Sequence, residues 1–448
     1  MPHSKDLQSL HYRTIIEPLT HIRTALARLD LEGLARRSGF LRRRPRKIPL
    51  LDLLLAFCAL AWESTLSLER IASVIGLAAG CSYSKQAFHQ RLSKSIETFL
   101  AEVAVGLFAQ MSASVRSAGY FKSFGRVLLH DSTVQSLPRH LAAFFPGSSD
   151  QKCKTRAALK IQWICDLLSG SLVQLSLSSY RRNDQAAAPD ILSVVQKGDL
   201  ILRDLGYFAL SVLQQVERRG AFFLSRLRFG VTLRDPKTKQ PIDLLAILRR
   251  DGRFDRWVLL GEQQSRMRVV AVAVPQEVAN QRRALAKKNH DGRCVPTRQR
   301  LQLMNWSLFV TNVRSEVWTP KVIARIYRLR WRIEIIFKSW KSHLRLRELN
   351  CRSADLVRLS VMLKLLYGLL TISCFGALAK FSSPSHQPSL LRFSKVLGQC
   401  GLLIGAILLQ ISPDQLFAHY LTKHAFYEQR PDRKNFHQRL VELSCPLA

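Results

Sequence analysis

Apolar positions along this chain change their spacing twice, and the changes divide it into a helical start, a strand-rich middle and a helical end. Up to about residue 118 the pattern is helical. Ser67 offers an N-cap, and Leu68, Ile71, Ala72 and Ile75 form a stripe three and four residues apart. Gly76 reads as the stop. A second short helix is predicted from Ser84, with Lys85, Gln86, His89, Gln90 and Arg91 on polar faces and Phe88 and Leu92 apolar. Two short helices with a basic second member suggest a helix-turn-helix-like DNA reader. The 77–83 connection is longer than the usual turn, however, and an ordinary helical bundle fits the same pattern.

From Gly125 the pattern becomes that of strands. Residues 127–129 run into Asp131. Residues 158–165 and 171–177 flank Leu168-Ser169-Gly170 as a hairpin, and 200–202 run into Asp204, with a helix predicted from Tyr207. Further strands are predicted at 222–224, 257–260, 268–274 and 307–310. Between the last two, residues 280–300 hold seven Lys or Arg and read as a surface loop. Long helices follow to the C-terminus, broken at Ser382-Ser383-Pro384. Residues 360–379 are apolar enough to resemble a membrane span, but Lys364, Gly368 and Gly376 interrupt them, which favours a helix buried in a large core.

Charge narrows the partners. The 448 residues carry 68 Lys and Arg against 32 Asp and Glu, a net charge of +36, and 47% of them are hydrophobic. A chain with a proper core and so large a cationic excess is expected to meet a polyanion, with composition alone not separating DNA from RNA. Arg42, Arg43, Arg44, Arg46 and Lys47 concentrate part of that charge in one run. The nine cysteines form no CxxC pair and no zinc spacing, which fits free thiols in a reducing cytoplasm. Met1–Leu10 lacks the apolar core of a signal peptide.

Where acids are scarce, an Asp at the end of an apolar strand needs a reason. Asp131 and Asp204 are candidate ligands for a hard divalent cation such as Mg²⁺. Each could also be a solvated strand end or a helix cap, and Asp166 is a decoy of the same kind. A third acid changes the balance. Taking 321–347 as one helix at about 100° per residue from Tyr327, the residues Arg330, Glu334, Lys338, Lys341 and Arg345 fall within a stripe about 80° wide. Ile326, Ile333, Ile336, Phe337, Trp340 and Leu344 form an apolar face, and Arg325, Arg328 and Arg332 a separate basic one. Residues 321–350 contain nine Lys or Arg and two Glu, too few acids for an ordinary salt-bridged surface helix.

Tyr327, Arg330, Glu334 and Lys341, spaced Tyr-x2-Arg-x3-Glu-x6-Lys, resemble the YREK signature of the insertion-sequence-four family of DDE transposases. Asp131 and Asp204 stand where that family has its other acids. The resemblance covers roughly residues 120–380. It implies an α/β fold with a ribonuclease H-like core: a mixed five-stranded sheet flanked by helices, Asp131 on the first strand, Asp204 just after the fourth and Glu334 on a later helix. It further implies a helical DNA-binding region at 1–118, a core made of 119–220 and 314–380, a β-rich insertion at 221–313 and a helical region at 381–448 for dimerisation or DNA contacts.

As implied chemistry, Asp131, Asp204 and Glu334 would hold two Mg²⁺ ions, with Mn²⁺ able to substitute. Tyr327, Arg330, Lys338 and Lys341 would bind phosphates of double-stranded DNA, at transposon ends and target. Nicking, an end hairpin, hairpin opening and strand transfer would follow, carried out by a homodimer in the bacterial cytoplasm at the nucleoid, with no membrane involved. Trp306 is a candidate stack for a flipped base, and a core tryptophan in a strand fits the same position; His130 reads as structural. A structure-selective nuclease on the same fold, or a DNA-binding protein that has lost catalysis, are the alternatives.

Overall fold

The computed structural model describes residue 19 and residues 21–42, 48–63, 66–89, 92, 94–111, 119–149, 155–288, 295–343, 353–379 and 389–424. Arg43, Arg44, Arg46, Lys47 and the 382–384 break lie outside them, as do Leu344 and Arg345.

One sheet of ten strands organises the molecule: β1 (Val127–Leu137), β2 (Pro146–Ser149), β3 (Thr155–Asp166), β4 (Leu172–Ser179), β5 (Leu200–Arg203), β6 (Phe222–Arg226), β7 (Leu233–Arg234), β8 (Phe254–Leu260), β9 (Ser265–Ala273) and β10 (Trp306–Thr311). Their order is β2-β3-β1-β5-β6-β10-β9-β8-β7, with β4 also on β3. β1, β5 and β6 are parallel neighbours, whereas β3 runs antiparallel to β1, and β10 antiparallel to β6. The predicted hairpin is the β3–β4 pair, turning at Gly170 with φ 73°.

The sheet is larger than the five strands expected, and it does not break at 220/221. β6, predicted within the insertion, is the parallel partner of β5, and β10 then carries the sheet on into β9, β8 and β7. The expected loop at 280–300 is a second difference. Gln276–Lys288 and Arg298–Leu303 are helices, the second capped by the Thr297 hydroxyl, which accepts from Arg300 N at 3.2 Å.

Side chains alternate across a strand, so each strand serves two cores. Val127, Leu129, Leu200, Leu202, Leu224 and Phe309 join one core with the N-terminal and C-terminal helices. Leu128, Ile201, Phe223, Val269 and Val310 join the other, with helices Leu210–Arg218 and Leu244–Asp251. The apolar stretch around 360–379 lies in helix Ala354–Ala379, largely buried in the first core where it is described. Its Lys364 is 2% exposed and donates to the Glu63 carbonyl at 2.8 Å, a hydrogen bond that an isolated cation in hydrocarbon would lack. No single helix among the described residues is long and apolar enough to cross a membrane.

In the N-terminal region, Ser67 caps Leu68–Ala79 by accepting from Arg70 N at 3.1 Å. The helix does not stop at Gly76. It ends at Gly80, whose φ of 68° only glycine adopts freely, and Gly76 instead makes room for the Cys81 carbonyl packed on it. Lys85–His89 follows, with Lys85, Gln86 and His89 exposed and Phe88 buried. A methyl at position 76 would have to displace backbone. Gly76→Ala is therefore expected to lower stability by about 1–3 kcal/mol, read as a shifted denaturant midpoint at unchanged slope.

Candidate active site

The three acids reach one cleft by two independent routes. Strand alternation brings the first pair. Asp131 continues the row of Val127 and Leu129, and Asp204 that of Leu200 and Leu202, so both face the first core. The parallel register ends on His130↔Arg203, and the acids are the next residues on each strand. Neighbouring strands lie about 4.8 Å apart. Asp131 is not at the end of its own strand, as expected from sequence: β1 continues to Leu137 along β3, and it is the parallel partner that stops. The acids thus sit where β5 runs out, the end of a parallel strand at which α/β proteins bind ligands.

The second route is helical. The stretch predicted as one helix is two: Pro320–Arg328 and Trp331–His343, with Leu329 and Arg330 in a turn between them. Ile326 of the first helix and Ile333, Ile336 and Phe337 of the second are buried, as the apolar face requires, and the latter three anchor the second helix over β1. Its opposite edge carries Glu334, exposed Lys338 and half-exposed Lys341 into a cleft of about 390 Å³ shared with Asp131, Asp204 and Arg330. The stripe drawn on one continuous wheel therefore survives the break, because Arg330 precedes Glu334 by one turn.

Arg330 joins all three acids. Its NH2 donates to Glu334 Oε1 at 2.7 Å, its NH1 to Asp131 Oδ2 at 3.2 Å, and its Nε lies 3.8 Å from Asp204 Oδ1. The Arg330 side chain is only 12% exposed. Burial opposes its charge, but Asp204, Tyr327, Glu334 and Asp131 outweigh burial and raise its pKa. The Tyr327 hydroxyl donates to Asp204 Oδ1 at 3.2 Å, and its ring packs on Phe309 at 5.2 Å. Burial and then Asp204 hold that phenol in its protonated form.

Asp131 is strongly perturbed. Burial pushes its carboxyl from 3.8 up to about 6, with Asp204 and Glu334 adding to the rise and the Ser132 amide and Arg330 opposing it. The donor set, carboxylate oxygen throughout, fits a hard cation such as Mg²⁺. As they stand, no three acidic, His or Cys side chains among the described residues are grouped to share an ion. The carboxylates gather on the guanidinium instead, so a metal would require Arg330 to withdraw.

The remaining candidates separate. Trp306 stays on the other sheet face, half-buried against the second core, its indole donating to the Gly252 carbonyl at 3.2 Å. Asp166 accepts from Val127 N, Leu168 N, Ser169 N and the Ser169 hydroxyl, holding the hairpin turn. His130 is buried on the second-core side beside the Arg203 guanidinium, 2.8 Å from its Nδ1, and burial followed by Arg203 keeps it neutral. Both are parts of the frame.

Two residues neighbouring the site residues, one in the sheet and one in the chain, were missed. Arg226 closes β6 on the parity of Phe222 and Leu224, next to Asp204 in the row, with its guanidinium 5.6 Å from the Phe309 ring. Carrying the 222–224 strand two residues further would have found it. Trp331 follows Arg330 in the chain and is 61% exposed, a large apolar ring left in water.

A family model for the transposase DDE domain matches residues 122–368, a span that includes all three acids. The transposase for insertion sequence element IS231C of Bacillus thuringiensis subsp. berliner is 30% identical over 340 residues, 70% of each chain. That for IS231B of the same source is 28% identical over 336 residues, again 70% of each. That for IS1151 of Clostridium perfringens is 24% identical over 348 residues, 72% of this chain and 71% of the other.

The Asp131 carboxyl sets a pH dependence whose sign follows from its raised pKa. Its folded-state value of about 6 exceeds the ordinary 3.8, so folding binds a proton more tightly and the charged form costs stability. That cost is absent below pH 3.8 and complete above about 6. Asp131→Asn in metal-free protein is accordingly expected to raise the melting temperature at pH 8, with the gain shrinking toward pH 4. Melting curves across that range check it, and an equal shift at both ends would refute the burial argument.

Proposed function

Since the chain belongs to the transposase DDE domain family, we propose that it is the transposase of an insertion sequence, cleaving and joining DNA at the cleft between β1, β5 and the Trp331–His343 helix. The observation that carries this reading is the convergence of Asp131, Asp204 and Glu334 at the end of β5. A ribonuclease H-like core is supported by the strand order β4-β3-β1-β5-β6, with β3 antiparallel and β5 and β6 parallel to β1. In this reading the core takes in β6 along with 119–220 and 314–380. The rest of 221–313 is a β-rich extension, 1–118 grips DNA, and 381–448 serves dimerisation or DNA contacts.

Asp131, Asp204 and Glu334 would hold two Mg²⁺ or Mn²⁺ ions, which when bound supply an activated water or 3′-hydroxyl and stabilise the leaving oxygen. Around them the chain's own residues position DNA. Arg330 offers a fork suited to two phosphate oxygens, Tyr327 a hydroxyl donor, and Lys338 and Lys341 charges along the cleft wall. Arg226 extends that wall past Asp204. Cut-and-paste movement through a hairpin at the element's end needs one base unstacked, and exposed Trp331 is better placed than Trp306 to receive it. The partners are double-stranded DNA at the element's ends and at the target, with two copies of the chain pairing the ends. The compartment is the bacterial cytoplasm at the nucleoid.

Asp131→Ala, Asp204→Asn and Glu334→Gln proteins are each expected to shift a duplex carrying the element's end in a gel as wild type does, yet fail to nick it. Nicking at the wild-type rate by any of them would sink the catalytic assignment. For the stack, Trp331→Ala is expected to cut hairpin yield about ten- to a hundred-fold, the loss of one base–aromatic stack worth ~1–3 kcal/mol. Trp306→Ala should instead lower the melting temperature. Hairpin loss confined to the Trp306 variant would reverse the two roles.

A further inference from the structure

Three carboxylates in one cleft repel one another. That repulsion is relieved when a cation lies among them. Here the cation is built in. Arg330 has one nitrogen on Glu334, one on Asp131 and one facing Asp204, and the acids collect around it rather than around a shared centre.

The fit is incomplete in an informative way. Two arms of the guanidinium make hydrogen bonds, but Nε, buried, stays 3.8 Å from Asp204 without a hydrogen-bond partner. A fork matched to its site would satisfy that donor. Arg330 lies in the turn between two helices, its N donating to the Tyr327 carbonyl at 3.2 Å and its own carbonyl accepting from Ile333 N at 3.1 Å, so its backbone is held independently of where the side chain points. The side chain can therefore leave without unwinding either helix.

We propose that Arg330 is an exchangeable counter-ion for the acid cluster: it occupies the cation position when DNA is absent and withdraws to a DNA phosphate when the substrate arrives. This rests on the metal-binding reading of Asp131, Asp204 and Glu334. One guanidinium cannot serve both the carboxylates and a phosphate with the same donors. Phosphate binding therefore bares the acids, and DNA raises the affinity for the divalent ion. By linkage the ion raises the affinity for DNA by the same factor. Arg330 is thus a positioning residue whose contact with the acids makes ion binding depend on substrate, which keeps a DNA-cleaving centre from assembling on the free protein.

The test measures binding rather than turnover: free Mn²⁺ titrated against the full-length chain and followed by electron paramagnetic resonance, with and without a short duplex of the element's end. DNA-free Arg330→Gln protein is expected to bind Mn²⁺ about ten-fold more tightly than wild type, and Arg330→Lys to fall between them. Adding the duplex should tighten Mn²⁺ binding by wild type several-fold and by Arg330→Gln much less. Melting curves confirm that both variants fold. Equal or weaker Mn²⁺ binding by Arg330→Gln, while Asp131→Asn abolishes binding, would overturn the exchange and leave the metal site standing. Absence of Mn²⁺ binding by every protein, with or without DNA, would overturn the metal site and the exchange with it.

Discussion

Register between two parallel strands governs everything this cleft can do. β1 and β5 are paired through Leu129↔Leu202 and His130↔Arg203, and because side chains alternate, the next step delivers Asp131 and Asp204 to the same face. A slip of one residue would turn one acid toward the second core and bring His130 or Arg203 into the cleft. The apolar residues on both sides prevent it, since Leu129 and Leu202 belong to one core while Leu128 and Ile201 belong to the other. A sheet buried on both faces is thus the device that holds two like charges side by side.

The cost of that arrangement is electrostatic and is met locally. The chain has a net charge of +36, and within the cleft a guanidinium only 12% exposed reaches all three acids. Screening weakens distant surface charges but acts little inside the cleft, so the bulk cationic excess draws in DNA while Arg330 sets the balance among the acids. The raised pKa of Asp131 comes first from burial, which the Ser132 amide and the guanidinium offset only in part. A site meant to exchange one cation for another gains from being incompletely satisfied.

Local patterns in the sequence carried the parts, and long-range pairing decided how they joined. Asp131 and Asp204 stood out because carboxylates are rare and each follows an apolar strand. Glu334 stood out because it lies in a row of cations at helical spacing. Neither signal reveals that the three meet, since β1 and β5 are separated by the hairpin and Glu334 lies far beyond both. The break at Leu329 and Arg330 left no mark, because Tyr-Arg-Leu-Arg-Trp contains no glycine or proline. The density of cations in 280–300 masked the helix Gln276–Lys288, which buries little more than Ala279 and therefore has almost no apolar stripe to read. Exposed Trp331 passed as one more aromatic on a helix, since exposure is a property of the packed molecule.

Continuity of the sheet beyond the cleft constrains how such a gene can decay. β6 is hydrogen-bonded on one side to β5 and on the other to β10, which belongs to the later half of the segment 221–313. Losing only the part from β7 to β10 would strip β6 of its outer neighbour and leave Phe222-Phe223-Leu224 as a bare apolar edge, the kind of border that templates aggregation. A shortened copy would thus carry an aggregation-prone border. Single substitutions among the acids leave that edge covered. Remnants of elements like this one should therefore accumulate point changes in the cleft and retain the strands beside it.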